Sequence, residues 1–207
     1  MSPGKPPASA SGARGPSKAD TPDRPRSNDL GLELYRQRTL LQIMTARLRE
    51  TSGGVERGTS LDLGRIRRAL DVHHRFLVEV HHADAERLAR MMARQEAAGA
   101  GELLTELEKA KGRALEFEAI AQGLLDQGVT GRSENAHRLS QLFHAEAERV
   151  DQFQAWEADR LHARIDEGLP KAQQTRLLSQ LRKFDSARVD AEIALISWAS
   201  QIHPSAD

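Results

Sequence analysis

The sequence predicts an all-α protein: an up-down-up-down antiparallel four-helix bundle followed by an additional long C-terminal helix. Three observations lead to this prediction. From Leu30 onward, apolar residues recur at three- and four-residue steps, the period of an amphipathic helix. Aromatic residues make up only 4% of the chain and β-branched residues are sparse, whereas good helix formers abound. Short stretches rich in Gly separate the periodic segments, and helices joined by short loops pack as antiparallel neighbours.

The first 29 residues differ in composition from the rest of the chain. The segment reads MSPGKPPASASGARGPSKADTPDRPRSND and holds six of the eight prolines, with almost no large apolar side chain. Such a segment cannot bury enough surface to offset the entropy lost on ordering. We therefore predict a disordered tail over residues 1–29, which serves either as a tether or has no specific role.

The first two predicted helices follow from capping signals. The Asn-Asp pair before Leu30 can cap a helix that ends near Glu50, because the following TSGGVERGTS is rich in Gly and Ser. Ser60 can cap a second helix, which runs to about Arg94 or Ala97 before the Gly-Ala-Gly sequence.

The next two helices complete the predicted bundle. The third runs from about Glu102 to Leu125, and Ser133 can cap a fourth that runs to about Glu167. The Gly-Leu-Pro sequence that follows ends it, because Gly readily takes the left-handed cap and Pro cannot continue a helix. Residues 30–170 are therefore the predicted four-helix bundle.

Residues 171–203 are predicted to form one amphipathic helix with a long apolar stripe. A stripe of this length is seldom left bare, so the helix packs either on the bundle or on a partner. The partner would be another protein or a second copy of the chain, which would form a homodimer. The candidate partner-binding side chains are Leu181, Phe184, Leu195 and Trp198.

Composition excludes several classes of function. Lys plus Arg equals Asp plus Glu at 30 each, and nucleic-acid binding usually leaves a basic excess. The chain has no cysteine, which excludes disulfides, thiolate catalysis and Cys-ligated metals. No apolar run approaches the ~20 residues of a membrane span, and no apolar signal-peptide core is present. We expect a cytoplasmic protein without membrane or nucleic-acid partners. No catalytic motif is present, so nothing supports an enzyme.

Residues 73–88, HHRFLVEVHHADAERL, contain four of the eight histidines. His82 and Glu86 share one helix face, because positions four apart lie one turn above each other. An imidazole and a carboxylate presented in this way can ligate non-haem iron. His74 is a possible extra ligand, although it lies only roughly on the same side.

The other histidines have simpler interpretations. His144 and Glu148 repeat the four-residue spacing, but His144 falls on the opposite helix face from Phe153, so we interpret the pair as solvated surface. His73 and His81 read as part of the apolar stripe of their helix, and partly buried helix histidines are commoner than metal ligands.

Four segments together resemble the hemerythrin-like (HHE cation-binding) family. HHADAERL at 81–88 is similar to its second-helix motif. The other three are similar to its third, fourth and first helices: LEKAKGRAL at 107–115, FQAWEADRLHARIDEGLP at 153–170 and YRQRTLLQIM at 35–44. The resemblance covers about residues 30–180.

The resemblance implies a site of two irons, held by one His from each helix and by carboxylates of the second and fourth helices. His82 and Glu86 match the second-helix ligands, and Glu157 matches the fourth-helix carboxylate. The remaining ligand positions are substituted, by Gln37, Lys109 and Phe153. A Lys ammonium would supply positive charge where the metal would be. We therefore predict Lys109 inside the bundle, beside His82 and in a salt bridge with Glu86 or Glu157, where its removal would cost several kcal/mol.

Three functions are compatible with this pattern. The first is a hemerythrin-like bundle that has lost its di-iron site, holds no cofactor and acts as a non-enzymatic binding or regulatory module. The second binds non-haem iron through His82, Glu86 and Glu157, with His74 or water as a substitute ligand, and handles or senses O2, NO or iron. The third is an unrelated helical structural or interaction protein.

Overall fold

The computed structural model describes residues 30–56, 62–94, 99–130, 133–181 and 186–200, apart from the side chains of 166–168. Within these ranges all regular secondary structure is helical and no strand occurs, so the all-α prediction is confirmed. The predicted tail at 1–29 and the candidate partner-binding residue Phe184 lie outside the described residues.

Two long helical stretches change from α-helix to π-helix and back to α-helix without a break. A long stretch consists of α2, a π-helical segment π1, and α3; another consists of α5, a π-helical segment π2, and α6. The bounds are α1 Leu30–Glu56, α2 Leu63–His73, π1 His74–His81, α3 His82–Ala93, α4 Ala100–Asp126, α5 Glu134–Trp156, π2 Glu157–His162, α6 Ala163–Gly168, α7 Lys171–Leu181 and α8 Ser186–Ser200.

Helix α1 is longer than predicted, because it continues to Glu56, into the Gly-rich sequence that was expected to form a loop. Its last turns are buried against α5. The Ser52 hydroxyl donates to the carbonyl oxygen of Ser140 at 2.9 Å, and Val55 is 5% exposed. Tertiary packing therefore overrides the low helix propensity of the two glycines at this end.

The start of α5 was predicted correctly. Ser133 caps it, and the Ser133 hydroxyl accepts a hydrogen bond from the backbone N–H of Ala136 at 3.2 Å. The cap of α2 is Asp62, whose carboxylate accepts from the N–H groups of Gly64 and Arg65. Ser60, the predicted cap, lies outside the described residues.

The apolar core has two parts. The first joins the second halves of α1 and α4 to α2 and the first half of α5. The second joins the starts of α1 and α4 to α3, α6 and α7. Along the continuous stretches that contain π1 and π2, His81, His82 and Glu157 lie in sequence between residues of the two parts. The histidine-rich segment is therefore placed in the interior at mid-length.

The described residues of the C-terminal segment form helices α7 and α8, and residues 182–185 between them lie outside the described residues. Leu181 is 2% exposed and packs in the second part of the core, whereas Leu195 and Trp198, at 0% and 5%, pack in the first part. These three side chains are covered by the chain itself. Of the two alternatives that the sequence left open for this segment, these three side chains follow packing on the bundle, and the binding of a partner stays a prediction.

Candidate functional site

Both π-helical segments lie at the positions that the sequence singled out. π1 ends at His81 and π2 begins at Glu157. The two segments meet there, because His81 Nε2 lies 2.8 Å from Glu157 Oε2. A π turn inserts a residue into an α-helix and rotates the side chains that follow, and such turns are frequent at functional sites.

The His81–Glu157 pair is deeply buried, at 4% and 3% exposure. An ionised carboxylate only accepts hydrogen bonds, so Nε2 of His81 carries the proton that Glu157 accepts. Nδ1 of His81 has no hydrogen-bond partner among the described residues. The family resemblance assigns Glu157 to iron, but here Glu157 is hydrogen-bonded to His81, the residue before His82.

His82 has an apolar and aromatic environment. Its ring lies 4.8 Å from the ring of Phe153, and its Nδ1 has no hydrogen-bond partner in the described part of the chain. Burial above all, and then the electrostatic effects of His81, His73 and Lys111, lower the pKa of His82 to about 3. His82 is therefore a neutral imidazole near neutral pH.

His73 lies between two carboxylates from different helices. Its Nδ1 is 2.7 Å from Glu118 Oε1 on α4, and its Nε2 is 3.0 Å from Glu146 Oε1 on α5. The second Glu118 oxygen is 2.8 Å from His74 Nδ1. The second Glu146 oxygen is 3.1 Å from Arg149 Nη1. We call these five residues the His73 cluster.

The His73 cluster holds a positively charged imidazole. Burial alone would lower the pKa of His73, but the hydrogen bonds to Glu118 and Glu146 and the charges of these carboxylates outweigh it and raise that pKa above its usual value. Only an imidazolium donates from both ring nitrogens, which matches the two short contacts. His73 is therefore the counter-charge of two carboxylates.

The His73 cluster was not predicted from the sequence. His73, Glu118 and Glu146 come from three separate helices, and nothing in the local sequence pairs them. One signal was present: Glu146 stands between Phe143 and Ala147 in the apolar stripe of α5, and it is 2% exposed. A carboxylate within an apolar stripe indicates a buried partner.

The three candidate metal ligands do not converge. His82 and Glu157 are both buried, but Glu157 is bonded to His81. The Glu86 side chain is 17% exposed, and its Oε1 lies 3.6 Å from Lys111 Nζ. Within the described ranges no group of three or more His, Cys, Asp or Glu side chains is arranged to hold a metal ion. The residues at these positions therefore do not fit the di-iron site that the resemblance implies.

Two of the three substituted positions do face the interior. Gln37 is 5% exposed, and its side-chain amide donates to Asp84 Oδ2 at 3.0 Å. Phe153 contacts the rings of both His81 and His82, with centroids 5.9 and 4.8 Å away. Gln37 and Phe153 therefore lie on the interior faces of their helices, as the match of these two helices to the family motif requires.

The prediction for Lys109 was wrong. Its side chain is 54% exposed, and its Nζ lies 2.7 Å from Glu106 Oε1 on the same helix. The adjacent Ala110 lines an internal cleft together with His82 and Phe153. The third-helix register was therefore off by one residue, which turns a side chain by about 100° around the helix.

His74 and His144 lie at the surface, with side chains 43% and 59% exposed. His74 contacts Glu118, and no contact links it to His82 within the described structure. His144 lies 3.3 Å from Glu148, so the interpretation of this pair as solvated surface is confirmed.

A second buried ionic group fixes α8 against α1 and α3. The Arg188 guanidinium lies 2.6 Å from Glu33, 2.7 Å from Asp84 and 3.1 Å from Glu192. Burial raises the pKa of Asp84 above its usual value, although the Arg188 charge acts in the opposite direction. Because this guanidinium joins three helices, it holds the C-terminal helix in place.

A cleft of about 210 Å³ opens between α4 and α5, with His82 and Leu77 in its lining. Small side chains of α4 leave this space unfilled. Small, basic and aromatic side chains also line the cleft: Ala110, Ala114, Arg113, Arg149, Phe153 and Trp156. Glu146 of the His73 cluster also lines the cleft.

No protein-family model matches this chain, and neither a curated protein nor a solved structure matches it. Among the described helices, none combines the length and the apolar character that crossing a membrane requires. The likeness to the hemerythrin-like family therefore rests on the four sequence segments at 35–44, 81–88, 107–115 and 153–170.

Proposed function

We propose that this protein is a hemerythrin-like four-helix bundle that has lost its di-iron site and acts as a non-enzymatic binding or regulatory module. One observation carries the proposal: the buried imidazoles and carboxylates bind one another. His81 donates to Glu157, and His73 donates to Glu118 and Glu146.

Helix directions support the up-down-up-down arrangement. On antiparallel neighbours, residue numbers rise on one helix as they fall on the other. Two contacts between α1 and α5, and two between the α2–α3 stretch and α4, follow this rule: Ser52 with Ser140, Arg49 with Asp151, His73 with Glu118, and Glu86 with Lys111.

The chemistry of the substituted positions supports loss of the metal. Phe153 has no ligand atom, and the Gln37 amide is committed to Asp84. Glu157 Oε2 already accepts from His81, so a metal at this oxygen would have to displace the His81 N–H and leave this buried imidazole unpaired. An unpaired buried donor costs about 1–3 kcal/mol, which opposes metal entry.

The His73 cluster supports a structural role over a catalytic one. A general base needs a free lone pair, whereas an imidazolium that donates from both nitrogens has none. In contrast, His82 is neutral and lines the cleft. Within the described part of the chain, the cleft is therefore the place where we expect binding.

Metal analysis of protein from iron-supplemented cells tests the proposal. We expect iron well below one atom per chain, and the same melting temperature with and without EDTA. About two irons per chain with an oxo-bridge absorption band would overturn it. His82→Ala is the matched variant, because iron that this substitution removes would establish the alternative site at His82, Glu86 and Glu157.

A further inference from the structure

The cleft between α4 and α5 has the size and the walls of a site for a small ring. Ala110 and Ala114 line it on the α4 side, and its volume of about 210 Å³ is below the roughly 300–1,000 Å³ of drug-sized sites. Phe153 and Trp156 line the α5 side as a stacked pair, with an interplanar angle of 16°. A flat aromatic ring packs well on such a surface.

Two side chains that line this cleft each contain a buried polar atom without a hydrogen bond. His82 Nδ1 and Glu146 Oε2 are buried, and neither has a hydrogen-bond partner within the described structure. The contact of Glu146 Oε2 with Arg149 at 3.1 Å is an ion pair that lacks hydrogen-bond geometry. A ligand hydroxyl suits both groups, because it donates to a carboxylate and can also pair with either tautomer of an imidazole.

Two arginines and two glutamates line the cleft. Arg113 and Arg149 both line the cleft, and Arg149 is already paired with Glu146. Glu106, which also lines it, is paired with Lys109. No ion pair is formed by Arg113 within the described residues, so its guanidinium is the charge left to bind an anion. Guanidinium groups bind carboxylates through paired hydrogen bonds.

We propose that this cleft binds a single-ring hydroxyaryl carboxylate, with its hydroxyl toward His82 and Glu146 and its carboxylate at Arg113. The ring stacks on the Phe153–Trp156 pair. This inference rests on the proposed function, because it names the ligand class of the metal-independent binding module.

Calorimetric titration of the full chain with 4-hydroxybenzoate, in EDTA, tests the ligand class. We expect one saturable site per chain. Benzoate lacks the hydroxyl and phenol lacks the carboxylate, so each should bind about tenfold more weakly or worse, as expected for the loss of one charge-assisted or buried hydrogen bond. No saturation by 4-hydroxybenzoate at about 10 mM, or equal binding of all three probes, would overturn the proposal.

Two pairs of matched variants locate the site. Ala110→Leu fills the cleft and should abolish binding, whereas Ala119→Leu, at an exposed position of the same helix, should leave it unchanged. Arg113→Gln should weaken binding by about tenfold, whereas Arg67→Gln removes the same charge at an exposed position outside the cleft lining and should not. Binding that survives Ala110→Leu would show that the ligand lies elsewhere.

The two proposals fail in different ways. Binding that requires iron and disappears in EDTA would contradict the metal-independent function. Absence of binding in a chain that carries no iron would contradict the cleft assignment alone. Circular dichroism of each variant identifies a loss of binding that arises from unfolding.

Discussion

His73 and His82 lie nine residues apart on one continuous helical stretch, and both are buried, at 0% and 2% exposure. Their electrostatic states are nevertheless opposite. The pKa of His73 is raised by two carboxylates that outweigh its burial, whereas burial lowers the pKa of His82 to about 3. The comparison shows that the partners of a buried imidazole decide its charge, and that burial alone does not.

The π-helical segment between the two histidines accounts for the burial of both, because positions nine apart in a regular α-helix lie on opposite faces. π1 begins directly after His73 and ends directly before His82, and a π turn rotates the side chains that follow it. His73 meets Glu118 and Glu146, whereas His82 meets the ring of Phe153. The first histidine is therefore bound to two carboxylates, whereas Nδ1 of the second has no hydrogen-bond partner among the described residues.

Removal of the His73 imidazole should have the largest effect. His73→Ala removes the buried cation that joins Glu118 to Glu146 and leaves them only the more exposed His74 and Arg149, and breaking a buried ionic pair costs about 3–5 kcal/mol. Urea unfolding measures this free energy. His144→Ala, at an exposed position, is the control and should change it by less than about 0.5 kcal/mol. Equal small effects of the two substitutions would contradict the role of His73.

Neutralising one carboxylate should cost less. Glu146→Gln removes a buried charge but keeps an oxygen that accepts from His73, so we expect a loss of about 1–3 kcal/mol. The pKa of His73 should fall at the same time, because Glu146 is one of the groups that raise it. NMR titration of the His73 imidazole measures this fall. An unchanged pKa would show that Glu146 does not act on His73.

The two histidines should affect the pH dependence of stability with opposite signs. The folded pKa of His73 is raised, so its contribution is complete below the unfolded value of 6.5 and is lost as pH rises through the folded pKa. The folded pKa of His82 is lowered to about 3, so stability falls as pH drops from 6.5 toward 3.

A variant at each histidine separates these two slopes. His82→Leu should flatten the acidic limb of the stability profile, and should change stability by no more than about 1 kcal/mol at neutral pH, since it removes an unpaired buried imidazole nitrogen. His73→Ala should flatten the limb above pH 6.5. If the His82→Leu protein still loses stability as pH falls toward 3, a group other than His82 causes that loss.

Lys109 should have the smallest effect. Its side chain is exposed and pairs with Glu106 on the same helix, so Lys109→Ala should change the unfolding free energy by less than about 0.5 kcal/mol. A loss of several kcal/mol would favour the buried salt bridge that the sequence predicted, and would count against the position of α4.

Local signals in the sequence predicted most of the helices but little of the site. Ser133 was identified as a cap because its partner lies three residues away. The longer course of α1 depends on the distant contact between Ser52 and Ser140, which no local pattern contains. Likewise, the side-chain rotation at π1 changes which residues face the interior without any mark in the hydrophobic period. The His73 cluster joins three helices and was missed for the same reason.

Imidazole ¹⁵N NMR of histidine-labelled protein tests the central claim most directly, because it reports the charge of each ring. At pH 6.5, the ordinary midpoint of histidine, we predict a His73 that is predominantly protonated on both nitrogens and a neutral His82. Both signals should be the same in EDTA and after addition of Fe(II). Equal protonation of the two rings, or a signal of His82 that iron shifts, would contradict this account.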